Sequence, residues 1–254
     1  MNFLFMIDES YFLGIPKSFR NLCKIYPPAI SDVVGNEKFS LYKKILTLSQ
    51  EEIEDEFVEK EIDIKNLLTP LEYLFNNAYN NEKMWKLINE AFVFFIHEPV
   101  IFLYEQKKIL IGGTQKILGD IEKVEDLKCI DEETFFDFQN EVRASLGEKK
   151  IEPPNPDEDP RIKRMKAKAR YRDKVKEKSG KGLTFASSLA SLCCMGFGLN
   201  PLNLGELSYA SVPVLVRYYQ EKEKYQLDVD SLLAGADSKK VKPKYWVNNF
   251  DNDK

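Results

Sequence analysis

The sequence predicts a mainly α-helical protein made of two small helical lobes, which are joined by a proline-rich acidic linker and a basic segment. Apolar residues recur at steps of three and four over much of the chain, and capping residues precede several of these runs. One stretch, IEPPNPDEDP at residues 151–160, holds four prolines and four acids. Because each proline removes a backbone donor and fixes φ, this stretch separates two helical parts.

Changes in composition divide the chain into five segments. Residues 161–181 hold eleven basic residues against Asp173 and Glu177, a local charge of +9 in a chain whose net charge is −4. The rest of the chain therefore carries −13. The predicted segments are an N-terminal mainly helical lobe over 1–148, a linker over 149–160, a basic segment over 161–182 that is expected to be helical, a C-terminal helical lobe over 183–246 and a polar tail over 247–254.

Helix starts and apolar faces can be recognised in the N-terminal lobe. Ser49 and Thr69 begin the capping-box sequences SQEE and TPLE, in which a hydroxyl and a glutamate satisfy backbone amides, and Gly147 supplies a helix stop. The stretch VIFLYEQKKILI, residues 100–111, predicts one β-hairpin. Two helical faces are expected at Trp85, Ile88, Phe92 and Phe95, and at Phe135, Phe138, Val142 and Leu146.

The C-terminal lobe shows three predicted helices. LTFASSLASLCCMGFG predicts a small-residue helix that is capped by Thr184 and ends near Gly196 and Gly198. A second helix is expected to be capped by Ser208 or Ser211, and DVDSLLAG predicts a last short helix that is ended by Gly235. The second helix should turn inward Val212, Leu215, Val216 and Tyr219.

Composition limits the class of protein. Charged residues make up 31% of the chain and no run of about 18 apolar residues occurs, so we expect no membrane span. The start, MNFLFMIDES, lacks a basic leader, so we expect a cytoplasmic rather than a secreted protein. The cysteines form no paired CxxC set and are expected to be reduced, mostly buried thiols, namely Cys23, Cys129, Cys193 and Cys194.

A catalytic or metal-binding grouping is hard to find. The single histidine, His97, follows an aromatic stripe and precedes Glu98-Pro99, which favours a helix-end position over catalysis. With one histidine and no paired cysteines, the usual zinc sites and histidine-based triads lack their residues. The acidic run at residues 49–63 favours a solvated helix, and SGKGLT at residues 179–184 lacks the phosphate-loop pattern. We therefore expect no enzyme activity, metal or cofactor.

The basic segment is one candidate binding site. Its charge could neutralise phosphates, but it interleaves only one aromatic residue, Tyr171, which disfavours a nucleic-acid surface with stacking platforms. Binding of a protein partner, self-association and a solvated connector are the alternatives. The candidate residues are Arg161, Lys163, Arg164, Lys166, Lys168, Arg170, Arg172 and Lys174.

The C-terminal stretch SLLAGADSKKVKPKYW, residues 231–246, is the other candidate site. Pro243 favours an extended path that delivers aromatic side chains to a surface or groove. Trp246 could staple the terminus onto the lobe, or the strip could grip a partner, in which case Trp246→Ala would weaken binding without lowering the melting temperature. The candidate partner-binding residues are Tyr209, Leu232, Leu233, Lys239, Tyr245 and Trp246.

Five stretches of the chain resemble a known family. They are SQEEIEDEF, KAKARYRDKVKEK, CCMGFGLNPLNLGELSYASV, YQEKEKY and SLLAGADSKKVKPKYW. These stretches resemble tail assembly chaperones of long-tailed, siphovirus-like phages and prophages of Gram-positive bacteria. The resemblance covers both lobes and is most specific over residues 166–246. It involves no catalytic motif.

The resemblance implies a noncatalytic function in virion morphogenesis. Such chaperones coat and solubilise the long helical tape measure protein in the host cytoplasm, help to recruit tail tube subunits and are absent from the finished tail. The expected partners are therefore the tape measure protein and the tail tube protein. Two other functions stay open: a nucleic-acid-binding phage regulator that acts through the basic segment, and a minor structural tail protein.

Overall fold

A computed structural model of the chain describes residues 8–59, 68–79, 81–112, 128–153, 184–196 and 198–245, together with 161, 162, 165, 166, 169 and 172. The helices in the described part are α1 Glu9–Phe12, α2 Ile30–Val33, α3 Phe39–Thr47, α4 Gln50–Glu59, α5 Pro70–Ala78, α6 Glu82–Ile96, α7 Glu132–Ser145, α8 Phe185–Cys194 and α9 Ser211–Leu233, with a 3₁₀ turn at Leu204–Glu206. Helices predominate, so the expected mainly α fold is confirmed at this level.

The expected capping boxes form at two helix starts. The Thr69 hydroxyl accepts a hydrogen bond from the Glu72 amide at 3.2 Å, and the Glu72 carboxylate accepts one from the Thr69 amide at 3.3 Å. Ser49 and Glu52 make the same reciprocal pair at 3.2 and 2.9 Å. Each pair satisfies amides that the first helical turn leaves without an intrahelical partner.

In the described part of the chain, two small antiparallel sheets accompany the helices. Strands β3 Val100–Leu103 and β4 Lys108–Ile111 form the expected hairpin, and β5 Cys129–Ile130 adds a third strand beside β4. A second hairpin, β1 Lys17–Phe19 with β2 Cys23–Ile25, was not expected from the sequence.

The unexpected hairpin turns through two residues with positive φ. Arg20 has φ 43° and Asn21 has φ 58°, and the Leu22 amide donates to the Phe19 carbonyl at 2.8 Å, so both central residues of this turn have the positive φ that a type I′ turn requires. Arginine is a rare residue at such a position, so the usual Asn-Gly signal of this turn is missing from the sequence.

The larger hydrophobic cluster, the main core, packs α3, α5, α6 and α7 against the strands. Phe92 and Phe138 are fully buried and stack with ring centroids 5.4 Å apart. The two helical faces expected in the N-terminal lobe point into this cluster, with Trp85 only partly buried at its edge. The helical periodicity of the sequence therefore located most of the main core.

The smaller cluster, the small core, lies between α8, α9 and α2. Its buried members are Ile30, Leu192, Met195, Leu204 and Val212, and the inward residues expected on α9 pack against it. Thr184 caps α8 as expected, because its side chain accepts a hydrogen bond from the Ser187 amide at 3.1 Å.

Helix α9 corrects the expectation of a separate last helix. It runs for 23 residues without a break, so DVDSLLAG forms its final turns. The expected cap by Ser208 or Ser211 is wrong, because the N-cap is Ala210, which has no capping side chain, and the Ser211 hydroxyl donates to the Ser208 carbonyl at 2.6 Å instead. Pro213 is accommodated in the first turn, where its missing amide is not needed. Gly235 ends it as expected: its amide bonds the Leu232 carbonyl and the Ala236 amide bonds the Ser231 carbonyl, a Schellman motif.

The two predicted lobes contact each other through the segment just before α9. The Ile30 amide donates to the Leu207 carbonyl at 2.9 Å, and the Tyr209 amide donates to the Pro28 carbonyl at 2.8 Å. Ala210 is fully buried in the main core, next to Gly147. The division into domains at residues 148 and 183 stays a prediction. Through these contacts, the residues just before α9 pack against the N-terminal part.

The first residues of the predicted linker lie against α7. The Asn140 side chain accepts from the Ile151 amide at 2.6 Å and donates to the Ile151 carbonyl at 3.2 Å, and Arg143 donates to the Lys149 carbonyl at 2.8 Å. Residues 154–160 lie outside the described part. The described start of the linker is thus held by side chains that replace regular backbone pairing.

The expectation of mostly buried cysteines is wrong. All four are free thiols, but only Cys23 is buried, whereas Cys129 and Cys193 are partly exposed and Cys194 is exposed. Cys193 and Cys194 are neighbours on α8, so their side chains point about 100° apart and only Cys193 reaches the edge of the small core.

No helix in the described ranges is long and apolar enough to cross a membrane.

Candidate functional site

Helix α9 has two different halves. Its first turns pack Val212, Leu215 and Val216 against the small core. None of the residues 220–233, which we call the outer half of α9, is buried. Leu227 is well exposed, and Leu233, at the far end, is 82% exposed. An exposed leucine by itself is ordinary, but here two lie on a helix end that the rest of the described protein leaves uncovered.

Residues 234–245, which follow α9 and which we call the C-terminal strip, turn back along the outer half of this helix. The rings of Tyr225 and Tyr245 meet edge to face with centroids 5.6 Å apart, and Tyr245 stays half exposed. Lys239 is exposed and Leu232 is partly buried. Trp246 lies outside the described residues, so the alternatives of a terminal staple and a partner grip both stay predictions.

Tyr209 lies elsewhere in the molecule. Its ring packs between Phe39, at 5.3 Å, and Phe185, at 5.1 Å, so it joins α3 to α8. Counted along α9 at about 1.5 Å per residue, Tyr209 and Leu232 are roughly 35 Å apart. The structure therefore brings Leu232, Leu233, Lys239 and Tyr245 into one region and leaves Tyr209 at the junction of the two parts.

The described residues of the basic segment are helical and exposed. They include Arg161, Lys166 and Arg172. Two apolar side chains among them are also exposed, Ile162 at 49% and Met165 at 71%. Both lie at helical positions, and positions three apart share a face of a helix, so we call this pair the apolar patch. The candidates Lys163, Arg164, Lys168, Arg170 and Lys174 lie outside the described residues.

A groove that was not expected from the sequence lies between α5 and the β3–β4 hairpin. We call it the aromatic groove; it has a volume of about 430 Å³ and is lined by Leu68, Leu71, Glu72, Phe75, Asn76, Tyr79, Tyr104, Lys107 and Glu132. Tyr104 contacts Phe75 at 5.5 Å and Tyr79 at 5.4 Å between ring centroids, edge to face in both cases. The three rings form a connected aromatic wall.

An ion pair at the rim fixes part of the charge of the groove. Lys107 donates to the Glu72 carboxylate at 2.7 Å, which lowers the pKa of Glu72 and raises the pKa of Lys107. Burial, and to a smaller extent Tyr79, raise the pKa of Tyr104, so this phenol stays neutral at physiological pH. With Glu132 also in the lining, the groove holds two carboxylates and one ammonium group.

The sequence carried a weak signal for this groove. Tyr79 follows the predicted helix that begins at Thr69, and Tyr104 follows the first strand of the predicted hairpin. An aromatic residue at the end of an element often lies at the surface, but nothing local showed that these two ends meet.

His97 occupies the helix-end position that the sequence favours. It is the C-cap of α6 with φ 58°, and its ring stacks on Tyr26 with centroids 3.9 Å apart. Within the described ranges no group of three or more histidine, cysteine, aspartate or glutamate residues is placed to hold a metal ion. The described surface thus offers apolar and charged contact regions as its candidate sites.

No protein-family model matches the chain, and no curated protein and no solved structure matches it either.

Proposed function

We propose that this chain is a noncatalytic phage tail assembly chaperone that binds and solubilises the tape measure protein and helps to recruit tail tube subunits. The proposal is supported by the five stretches that resemble this family, of which the last three lie on or beside α8 and α9. The proposal also includes the predicted arrangement of two lobes, because a chain that binds two partners can use a separate lobe for each of them.

The observation that carries the proposal is the uncovered outer half of α9. Leu227 and Leu233 are exposed there, and the C-terminal strip adds the half-exposed ring of Tyr245. A long amphipathic partner helix has an apolar stripe that needs cover, and a helix bearing leucines beside an aromatic strip can provide it. We therefore place the tape measure contact at Leu232, Leu233, Lys239 and Tyr245.

Co-expression tests the chaperone function directly. The tape measure protein of the same phage would be produced with and without this chain, and the soluble fraction measured after centrifugation. We expect the tape measure protein to be largely insoluble alone and soluble with this chain. Equal precipitation in both cases would overturn the proposal.

A matched pair of variants tests the proposed surface. Leu233→Asp places a charge in the proposed contact, whereas Leu202→Asp places the same charge on the loop before α9, where Leu202 is 94% exposed. We expect the soluble tape measure fraction to fall several-fold with the first variant and to stay unchanged with the second. If both variants solubilise equally well, the contact lies elsewhere while the chaperone function can still hold.

The proposal also assigns a place in the cell. An assembly chaperone works in the host cytoplasm and leaves before the tail is complete. Mass spectrometry of purified particles should detect the tube protein but not this chain. Detection of this chain at stoichiometric levels would instead favour a minor structural tail protein.

A nucleic-acid-binding regulator is the second candidate function. The exposure of Arg161, Lys166 and Arg172 on helical positions favours it. Binding through such residues should weaken steeply as salt rises. A titration of labelled duplex DNA and of RNA at low salt, with wild type and a variant in which these three residues are glutamate, would decide; no binding by the wild type would remove this candidate.

A further inference from the structure

We propose that the chain binds a second copy of itself head to tail, with Ile162 and Met165 of one copy inserted into the aromatic groove of the other. This inference does not rest on the chaperone function. It rests on the shape and chemistry of two surfaces that the structure describes separately: a groove on the N-terminal part and an apolar patch in the basic segment.

The groove has the size and lining of a binding site for apolar side chains. Its volume of about 430 Å³ lies within the range of about 300–1,000 Å³ that is typical of ligand sites. Tyr79 is 61% exposed and forms its outer wall, while Phe75 is buried at its base. Aromatic walls of this kind take up aliphatic and thioether groups, and a methionine sulfur gains an additional contact with ring edges.

The apolar patch has the form that such a groove accepts. Ile162 and Met165 lie one helical turn apart and project from a helical stretch rather than into a core. Unbranched and flexible, a methionine side chain adapts to an irregular cavity. Two side chains at this spacing can enter one groove together, which is the usual way in which a helix docks.

The charges of the two surfaces are complementary. The groove holds two carboxylates, of Glu72 and Glu132, and one ammonium group, of Lys107. It belongs to a part of the chain, residues 1–148, that has 27 acidic and 16 basic residues, a net charge of −11. The segment that carries the patch has a charge of +9 over residues 161–181. Opposite charge of this size speeds association and orients the two surfaces.

A second copy is the occupant, rather than the segment of the same chain, because no described residue covers either surface. Ile162 is half exposed and Met165 is mostly exposed, and the outer wall of the groove is exposed as well. Because the two surfaces differ, the contact is heterologous: an open assembly keeps one unused groove at one end and one unused patch at the other unless it closes into a ring. Association should therefore grow with concentration.

Sedimentation velocity of the full-length wild-type protein over a wide concentration range tests the proposal. We expect a shift from monomer to larger species as concentration rises, and a shift back toward monomer as salt rises. Tyr79→Ala removes the groove wall and Met165→Asp removes the patch. Each should weaken association by about tenfold or more, as the loss of a central contact does.

Mixing the two variants gives the sharpest result. Met165→Asp keeps its groove and Tyr79→Ala keeps its patch, so an equimolar mixture should form a 1:1 complex that neither variant forms alone. Leu202→Asp, at a leucine that is 94% exposed and lies outside both surfaces, should associate like the wild type. Circular dichroism and thermal melts verify that every variant is folded.

Three outcomes would overturn the proposal. One is a wild-type protein that stays monomeric at every concentration. Another is self-association that neither Tyr79→Ala nor Met165→Asp weakens, since it would use another surface. The third is a mixture of the two variants that behaves as the sum of its separate components.

Discussion

The main core and the small core differ in size and in what they depend on. In the described part of the chain, 26 buried residues form the main core and five form the small core. Each cluster contains one residue from the other predicted lobe: Ala210 lies in the main core, and Ile30 lies in the small core. The two clusters are therefore joined through the segment just before α9 and through α2.

From this difference we infer that the C-terminal part depends on its contacts with the N-terminal part for its stability. A cluster of five buried residues is too small to offset the conformational entropy of the helices around it. Its packing continues onto Ile30, and backbone hydrogen bonds at Pro28 and Ile30 anchor the same segment. We expect unfolding of the main core to unfold both parts, and loosening of the small core to leave the main core folded.

The largest expected effect comes from Phe138→Ala. Phe138 is fully buried and contacts the rings of Phe19, Phe92 and Phe135. Its truncation should lower the free energy of unfolding by about 3–5 kcal/mol, because it removes apolar contacts and leaves a cavity. Urea unfolding followed by circular dichroism measures the loss.

Hydrogen exchange in the same variant tests the dependence between the cores. Amides of α8 and α9 should lose protection together with those of α6. Unchanged protection in α8 and α9 would show that the small core is stable without the main core.

Ile30→Ala should have the next largest effect. Ile30 is 97% buried in the small core, and its truncation should cost about 2–4 kcal/mol, whereas Ile30→Val should cost about 1 kcal/mol. The loss should appear first as faster hydrogen exchange in α8 and in the first turns of α9. Equal acceleration across α6 and α7 would contradict a separate loosening of the small core.

Substitutions of two glycines compare a helix end at the junction of the two parts with a helix end away from it. Gly147 and Gly235 both follow a helix C-cap with positive φ, 70° and 93°. Gly235→Ala should cost about 1 kcal/mol for the left-handed backbone alone. Gly147→Ala should cost at least about 1 kcal/mol more, because its new Cβ would lie 2.8 Å from the Ala210 carbonyl oxygen. Chemical denaturation gives both values, and equal costs would mean that the junction yields without strain.

The smallest expected effect concerns acid. A hydrogen bond from the Thr134 hydroxyl, followed by one from the Thr134 amide, lowers the pKa of Asp131, the N-cap of α7. Its contribution to stability is therefore complete above about pH 4 and is lost as pH falls through the lowered folded-state pKa. Asp131→Ser keeps a capping oxygen that does not titrate, so its free energy of unfolding should fall less between pH 5 and pH 3. Parallel pH curves for the two proteins would contradict this.

Several local elements were predictable from the sequence, whereas α1, α2, α3 and the β1–β2 hairpin were not predicted. The capping boxes at Ser49 and Thr69, the hairpin at residues 100–111 and the stops at Gly147 and Gly235 all depend on residues within one turn of each other. The exceptions have local causes too. The turn at Arg20 and Asn21 uses an uncommon residue for positive φ, and DVDSLLAG continues α9 because no breaker separates it from the preceding turns.

The candidate surfaces were predictable only in part. The exposed end of α9 at Leu233 and the exposed residues of the basic segment lie where the sequence placed candidates. Tyr209 has the same residue type as Tyr245 but lies between Phe39 and Phe185, because its own amide bonds the Pro28 carbonyl and the nearby Leu207 carbonyl accepts from the Ile30 amide. Residue type alone could not separate a junction tyrosine from a surface tyrosine.

The sequence by itself determined the mainly α character of this protein, the helix starts after Ser49, Thr69 and Thr184, the helix stops at Gly147 and Gly235, the buried faces of α6 and α7 and the opposite charges of residues 1–148 and 161–181. Only the tertiary structure decided that Ala210 enters the main core, that Ile30 enters the small core, and that Phe75, Tyr79 and Tyr104 line one groove. The physical reason is the separation along the chain of the residues that interact. Caps, periodicity and charge act over a few residues, whereas these contacts join residues that are far apart along the chain and depend on how whole elements pack.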